Sequence, residues 1–186
     1  MARDAEDTRR RLLEAAAAEF AERGIAGARI DRIAAQAKAN KALIYSYFGN
    51  KEDLFDAVFN ALVVDTVHDV PIDADDLVSY AGKLFDRAIS HPQALRLAVW
   101  HSLERGGAAL PDAVVEADRD KVAAIRDAQD RKAVSGRFPA DELMVLITGL
   151  TVLGAPDLAM IGVTDVERRR RTVLDAVRLL TEGDNS

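Results

Sequence analysis

Apolar residues recur at three- and four-residue intervals along nearly the whole chain, and no stretch keeps up a period-two alternation. A helix repeats every 3.6 residues and a strand every two, so this spacing restricts the chain to an all-α fold. Capping and breaking residues divide it into about nine helices. Leu12, Leu13, Ala16, Ala17 and Phe20 line a first helix over about 8–23, with Thr8 as N-cap and Gly24 as its left-handed end. After a loop over 24–29, two short helices are expected at 30–37 and 41–48. Asn40 can cap the second of these, and Gly49 can end it. Asn50 with Asp53 three residues later makes a capping-box variant that opens a fourth helix, running to about His68. Pro71 stops it, and Asp73 can cap a fifth helix over 74–90. Pro92 opens a sixth that Gly106-Gly107 ends, and Pro111 opens a seventh over 112–133. An eighth over 140–154, an irregular stretch over 155–164 and a ninth helix over 165–182 complete the chain.

A chain of 186 residues, 49% hydrophobic and 30% charged, can bury a sizeable core. It has no cysteine, which removes disulfides, thiolate chemistry and cysteine-held metal or cluster sites. No apolar signal segment follows the charged start, and no stretch approaches the length of a membrane span, so a cytoplasmic protein without membrane contact is expected. The net charge is −6, but it is unevenly spread. Residues 1–50 hold nine Lys/Arg against seven Asp/Glu, and the remainder holds sixteen against twenty-four. A locally basic N-terminal face on an acidic body can still contact phosphate, because a local patch governs that contact. There is no glycine-rich phosphate loop, no zinc-protease motif and no nucleophile–base pair, so no enzyme and no cofactor are expected. His68, His91 and His101 lack the close spacing of a metal site.

The stretch 31–51, DRIAAQAKANKALIYSYFGNK, is the most informative. Ile33, Ala34 and Ala37 form one small apolar stripe, Lys38-Ala39-Asn40 interrupts it, and the helix over 41–48 ends in Tyr45-Ser46-Tyr47-Phe48. Two of the chain's three tyrosines lie in this one turn. A short helix, a three-residue break and a second short helix is the layout of a helix-turn-helix, whose second helix enters the DNA major groove.

Residues 8–54 resemble the DNA-binding domain of the tetracycline-repressor-like (TetR) family of bacterial transcription regulators. The resemblance is carried by Leu12 through Phe20 with Gly24, Ile33-Ala34 with Ala37, Lys41, Tyr45-x-Tyr47-Phe48, Lys51 and Leu54. It implies a helix-turn-helix domain over 1–50 and a larger helical ligand-binding and dimerisation domain over 51–186. It also implies a DNA-binding transcriptional regulator, a ligand-responsive repressor that binds a palindromic operator as a homodimer. The alternative is a helical DNA-binding dimer with no small-molecule effector, regulated by its abundance or by a protein partner. Two positions depart from the family pattern. Lys38 stands where the turn usually has glycine; a lysine with positive φ costs on the order of 1 kcal/mol, or else the turn takes another shape. Arg29, after Ala28, stands where a hydroxyl residue usually caps the second helix, and arginine cannot accept from the free N–H groups there.

By that resemblance, Lys41, Ala42, Leu43, Tyr45, Ser46 and Tyr47 lie along the DNA-facing sides of the helix that Asn40 opens, and Asn40 itself is a further DNA-contact candidate. Lys41 can donate to guanine O6/N7 or to phosphate, and Ala42 and Leu43 can touch thymine methyl groups. Tyr45 and Tyr47 can donate to phosphate, as can Arg29, Lys38 and Lys51. The competing expectation is that the tyrosines pack the small domain's core and the lysines are merely solvated. Phe48, Phe20, Ile33 and Leu54 are assigned to core. The resemblance further implies an apolar cavity for a small apolar or amphipathic ligand, with Tyr80, Phe85, Trp100, His101, Met144 and Thr148 as lining candidates. The plainer expectation makes Trp100 a core or dimer residue and His101 a structural histidine. A two-fold interface is expected from the last two helices through Leu150, Leu153, Val173, Leu174, Val177 and Leu180, with Gly149 and Gly154 allowing close approach. Arg168–Arg171 spreads around its helix and is expected to be solvated or salt-bridged.

Overall fold

The computed structural model describes residues 2–104, 112–153 and 165–183. These form α1 (Ala2–Gly27), α2 (Ile30–Gln36), α3 (Lys41–Phe48), α4 (Lys51–Asp69), α5 (Leu77–Ser90), α6 (Pro92–Glu104), α7 (Asp112–Asp130), α8 (Ala140–Leu153) and α9 (Val166–Thr181). No strand occurs among the described residues, so the all-α expectation holds. No described helix is long and apolar enough to cross a membrane. The expectations for Gly106-Gly107, Pro111, Gly154, the 155–164 stretch and the Leu153 side chain lie outside the described residues.

The chain packs as two compact units, Met1–Asp65 with Gln93–Pro111, and Thr66–Pro92 with Asp112–Ser186. The first therefore runs past residue 50 through most of α4 and also takes in α6. Its buried side chains include Leu12, Ala16 and Phe20 of α1, Ile33 of α2, Ile44 and Phe48 of α3, and Leu54, Phe55 and Phe59 of α4. Phe20 meets Phe55 edge-to-face with centroids 5.2 Å apart, a favourable quadrupole arrangement.

Helix boundaries follow cap chemistry where one cap is available. Asn40 Oδ1 accepts from Ala42 N at 2.9 Å, and Gly49 ends α3 at φ 85°. Asn50 Oδ1 accepts from Asp53 N at 2.8 Å while Asn50 Nδ2 donates to Asp53 Oδ2 at 2.6 Å, the reciprocal cap expected for α4. Two expected caps are corrected. Thr8 is interior to α1, and its hydroxyl donates to Asp4 O at 2.8 Å. Asp7 pairs with Arg10 and Arg11, and Arg10 with Glu14, so i,i+3 and i,i+4 attraction carries the helix back toward the N-terminus. The cap of α5 is Asp76, which accepts from Ser79 N at 2.9 Å; Asp73 instead accepts from Asp75 and Asp76 N in the preceding turn.

Both lysines with positive φ close helices. Lys38 (φ 52°) follows α2, its N–H donating to Ala35 O while Ala39 N donates to Ala34 O. Lys132 (φ 61°) follows α7 in the same way, with Ala133 N donating to Ala128 O, and it ends that helix at Asp130, earlier than residue 133. Each pattern is a Schellman motif with a lysine where glycine is preferred. The turn thus keeps its usual shape at Lys38 and carries the left-handed strain. Lys38→Gly and Lys132→Gly should each raise unfolding free energy by about 1 kcal/mol in urea titrations. Only Lys38→Gly should weaken DNA binding.

In the second unit, Val70, Leu77, Tyr80, Ala81, Ile125, Leu143, Met144, Ile147 and Val177 form one buried core drawn chiefly from α5, α7, α8 and α9. Ion pairs tie its rim: Arg170 forks onto Asp86 at 2.7 and 2.8 Å, and Arg131 meets Asp75 at 2.8 Å. Arg170 is thus salt-bridged, as expected of the Arg168–Arg171 run.

The dimer-face assignment is corrected in part. Val173 (4% exposed) and Val177 (0%) are buried in the protein's own core. Leu150, Leu174 and Leu180 are half-buried against that core. The large apolar side chains that α8 and α9 leave exposed are Val145 (66%), Leu146 (36%) and Leu179 (69%). The space where Gly149 would carry a Cβ is open. Periodicity showed an apolar stripe on α9; burial shows that the stripe faces inward.

Candidate nucleic-acid interface

The placement of α3 begins with a carboxylate inside the first unit. Glu19 lies on the inner stripe of α1, one residue before Phe20, and is 5% exposed. Its Oε1 accepts from the Arg29 backbone N–H at 3.0 Å and from Arg32 Nε at 2.7 Å, and Oε2 faces Arg23 Nε at 3.6 Å. Arg29 is the N-cap of α2 and makes no side-chain cap bond; Glu19 of α1 takes Arg29's own backbone N–H. Burial alone would raise the Glu19 carboxyl. Arg32's hydrogen bond, the Arg29 N–H and the charges of Arg32 and Arg23 outweigh it and hold the pKa below the ordinary glutamate value. At the other end of α2, Arg11 Nη1 donates to Ala37 O at 2.9 Å, a cation on a helix C-terminus. Ile33 and Ala34 of α2 and Ile44 and Phe48 of α3 are buried. The positions between Ile44 and Phe48 are left facing out.

Those outward positions are the ones the sequence nominated. Lys38, Asn40, Lys41, Ala42, Leu43, Tyr45, Ser46 and Tyr47 are all exposed, as is Arg29. Tyr45 is 48% and Tyr47 36% exposed, so neither is a core tyrosine. Lys51 differs: it is half-buried, and its Nζ donates to Ala26 O at 3.4 Å, bracing the α1–α2 turn. Arg9 lies over the Phe48 ring at 5.5 Å, a cation–π contact at the end of α3 that the sequence did not suggest.

One acid sits among these cations. Asp31 Oδ1 meets Lys41 Nζ at 2.8 Å, and Oδ2 is 4.0 Å from Arg29 Nη2. The Lys41 hydrogen bond holds Asp31 below its ordinary pKa, and the same bond raises Lys41, so both are charged at neutral pH. Phosphate contact by Lys41 has to compete with this pair. Asp31→Asn should raise affinity for mixed-sequence DNA roughly threefold at low salt, by removing a competing anion from the face. Fluorescence anisotropy across a salt series measures it; unchanged affinity would mean that Lys41 does not approach phosphate.

The six ligand-lining candidates do not fall in one unit. Tyr80, Phe85, Met144 and Thr148 belong to the second, while Trp100 and His101 belong to the first. His101 is buried and stacks on Phe59 with centroids 4.4 Å apart, and at 6.3 Å on Phe55, which fits the plainer structural expectation. Tyr80 is 1% exposed and its hydroxyl has no hydrogen-bond partner among the described residues. Burial, then the Asp118 charge, pushes its pKa to about 12.

Residues that sequence reasoning missed are Glu19, Arg32 and Arg11. Glu19 did carry a signal, a charge on an apolar stripe. Arg11 and Arg32 carried none.

Residues 12–58 match the family model described as "Bacterial regulatory proteins, tetR family", and residues 76–178 match "Tetracyclin repressor-like, C-terminal domain". The chain is 41% identical to the HTH-type transcriptional repressor SCO4008 of Streptomyces coelicolor, over 94% of this chain and 98% of that protein. It is 31% identical to the HTH-type transcriptional repressor NicS of Pseudomonas putida, over 56% of this chain and 53% of that protein. Among solved structures, a transcriptional regulator of Streptomyces coelicolor, SCO4942, superposes with a TM-score of 0.81 at 32% identity, over 94% of this chain and 98% of that one. With both parts of the chain matched by family models and a repressor 41% identical over 94% of it, the protein belongs to the TetR family of DNA-binding transcription regulators.

Proposed function

We propose that the protein is a homodimeric, ligand-responsive transcriptional repressor that binds a pseudo-palindromic operator through α3. The observation that carries this is the α3 surface: Ile44 and Phe48 turn inward, and every outward position is a donor or an apolar contact. Ala42 and Leu43 touch base edges, Tyr45, Tyr47, Arg29 and Lys38 hold phosphates, and Lys41 and Ser46 serve either. One such helix covers a half-site, so two copies are needed, with their α3 helices about 34 Å apart along the duplex. Repression is supported by the name of the relative that is 41% identical over 94% of this chain.

The effector is an apolar or amphipathic molecule bound in the second unit. The buried Tyr80 hydroxyl, which has no hydrogen-bond partner among the described residues, supports it as the polar handle. Linkage requires that this ligand prefer the DNA-incompetent arrangement of the dimer; affinity without that preference shifts nothing.

Selection from a random DNA pool at moderate salt tests the proposal. A palindromic consensus supports it, and no enriched sequence overturns it. A thermal-shift screen against hydrophobic metabolites, followed by operator release, tests the effector. Without a stabilising ligand, the regulator is one governed by its abundance or by a protein partner.

A further inference from the structure

The turn that joins α1 to α2 is held by side chains from four helices. Gly24 breaks α1 at φ 69°, ψ 177°, and a single helical turn follows, with Ala28 N donating to Gly24 O at 3.2 Å. A turn that starts afresh exposes unpaired N–H groups. Here Ile25 N donates to Glu104 Oε1 at 2.9 Å and Ala26 N to Glu104 Oε2 at 3.1 Å. Glu104 stands at the end of α6, far away in sequence. One helical turn earlier, Trp100 lies over Gly24: a Cβ built there would come within 3.1 Å of the indole and 2.6 Å of Glu104 Oε1. On its other side, the turn is met by Lys51 of α4 at Ala26 O and by Arg32 of α2 at Gly27 O. Glu19 of α1 then takes the Arg29 N–H, where α2 begins.

We propose that Glu104 is a positioning residue for DNA reading: with Trp100 it clamps α6 to the 25–28 turn and so fixes how α2 and α3 are set against α1 and α4. This rests on α3 being the groove-facing helix. Operator binding requires α3 to be in place before contact, and every constraint on the turn it hangs from removes an ordering cost at binding. A carboxylate suits this clamp because it is acceptor-only and offers one oxygen to each N–H. Glutamine keeps one acceptor and turns an NH₂ toward the other donor, so Glu104→Gln breaks half the clamp at almost constant shape. The side chain is exposed, so the fold itself tolerates the change.

The test uses the full chain and the operator recovered by selection. Operator affinity, affinity for mixed-sequence DNA, melting temperature and hydrogen exchange at the Ile25 and Ala26 amides are compared for wild type, Glu104→Gln and Glu104→Ala. Glu104→Gln should lose about fivefold in operator affinity, and Glu104→Ala more, with mixed-sequence affinity within about twofold of wild type. Both amides should exchange faster, and the melting temperature should hold. Unchanged operator affinity overturns the proposal, even with faster exchange. So does a uniform fall in both affinities together with the melting temperature, which would make Glu104 only a stability residue. Amides that exchange at the wild-type rate show that no clamp exists in solution. If wild type selects no operator, the assignment of α3 fails instead, and the exchange data still report on the clamp.

Discussion

Glu19→Ala is expected to lower the unfolding free energy of the first unit by about 3 kcal/mol, because it leaves buried donors without an acceptor. The lower end of the range for breaking a buried pair applies, since Arg32 is 39% exposed and water can take over part of its need. The Arg29 backbone N–H would lose the acceptor that Glu19 Oε1 supplies at 3.0 Å. Trp100 is the chain's one tryptophan and belongs to this unit, so its fluorescence reports the transition. The pH dependence separates charge from packing. Glu19 has its pKa depressed in the folded protein, so its contribution is fully present above the unfolded value of 4.5 and is lost as pH falls through the folded pKa. The deficit of Glu19→Gln relative to wild type should therefore be constant near neutrality and shrink below pH 4.5. A deficit that did not change with pH would assign the effect to shape alone. Operator affinity should fall with stability, because α2 is seated on this carboxylate.

Features whose cause lies within a few residues were legible in advance. Asn40, Gly49 and the Asn50–Asp53 pair specify their helix ends locally, and all are where the sequence put them. Lys38 shows the limit of that logic. Its residue type argues against a left-handed turn, but the Ala34 and Ala35 carbonyls at the end of α2 still take their Schellman partners. Around residue 75 three aspartates compete, and composition cannot say that Asp76 rather than Asp73 faces the first free N–H groups of α5. Thr8 has good cap chemistry, but Asp7, Arg10, Arg11 and Glu14 pair through it and extend the helix. For the candidate site, exposure on α3 follows from a 3.6-residue period once Ile44 and Phe48 are taken as core. The contacts that brace it do not follow: Glu104 reaches Ile25 across 79 residues. Only the fold makes such neighbours.

The last two helices carry the other large effect. A stripe of apolar residues says that a face is covered, not what covers it. On α9 the protein itself covers Val173 and Val177, so replacing them would unfold the second unit and say nothing about assembly. Val145 and Leu179 are the informative positions, at 66% and 69% exposed. Aspartate at either costs the protomer little, on the order of 0.5 kcal/mol, because the new charge stays in water. In a face-to-face dimer built on this face the same charge would be buried in the interface at both symmetry-related positions, at a cost of several kcal/mol. Gly149 of α8 has open space where a Cβ would stand, which lets a second backbone approach. Val145→Asp and Leu179→Asp should therefore each give a folded monomer by sedimentation equilibrium, with helicity and melting close to wild type. Tethering two half-site contacts in one dimer raises affinity by roughly 10²–10⁴ over a single contact, so loss of the dimer should weaken operator binding about a hundredfold or more. Binding to an isolated half-site should not change. A dimer that survives both substitutions would move the two-fold axis off this face and leave Val145, Leu146 and Leu179 as solvated apolar residues.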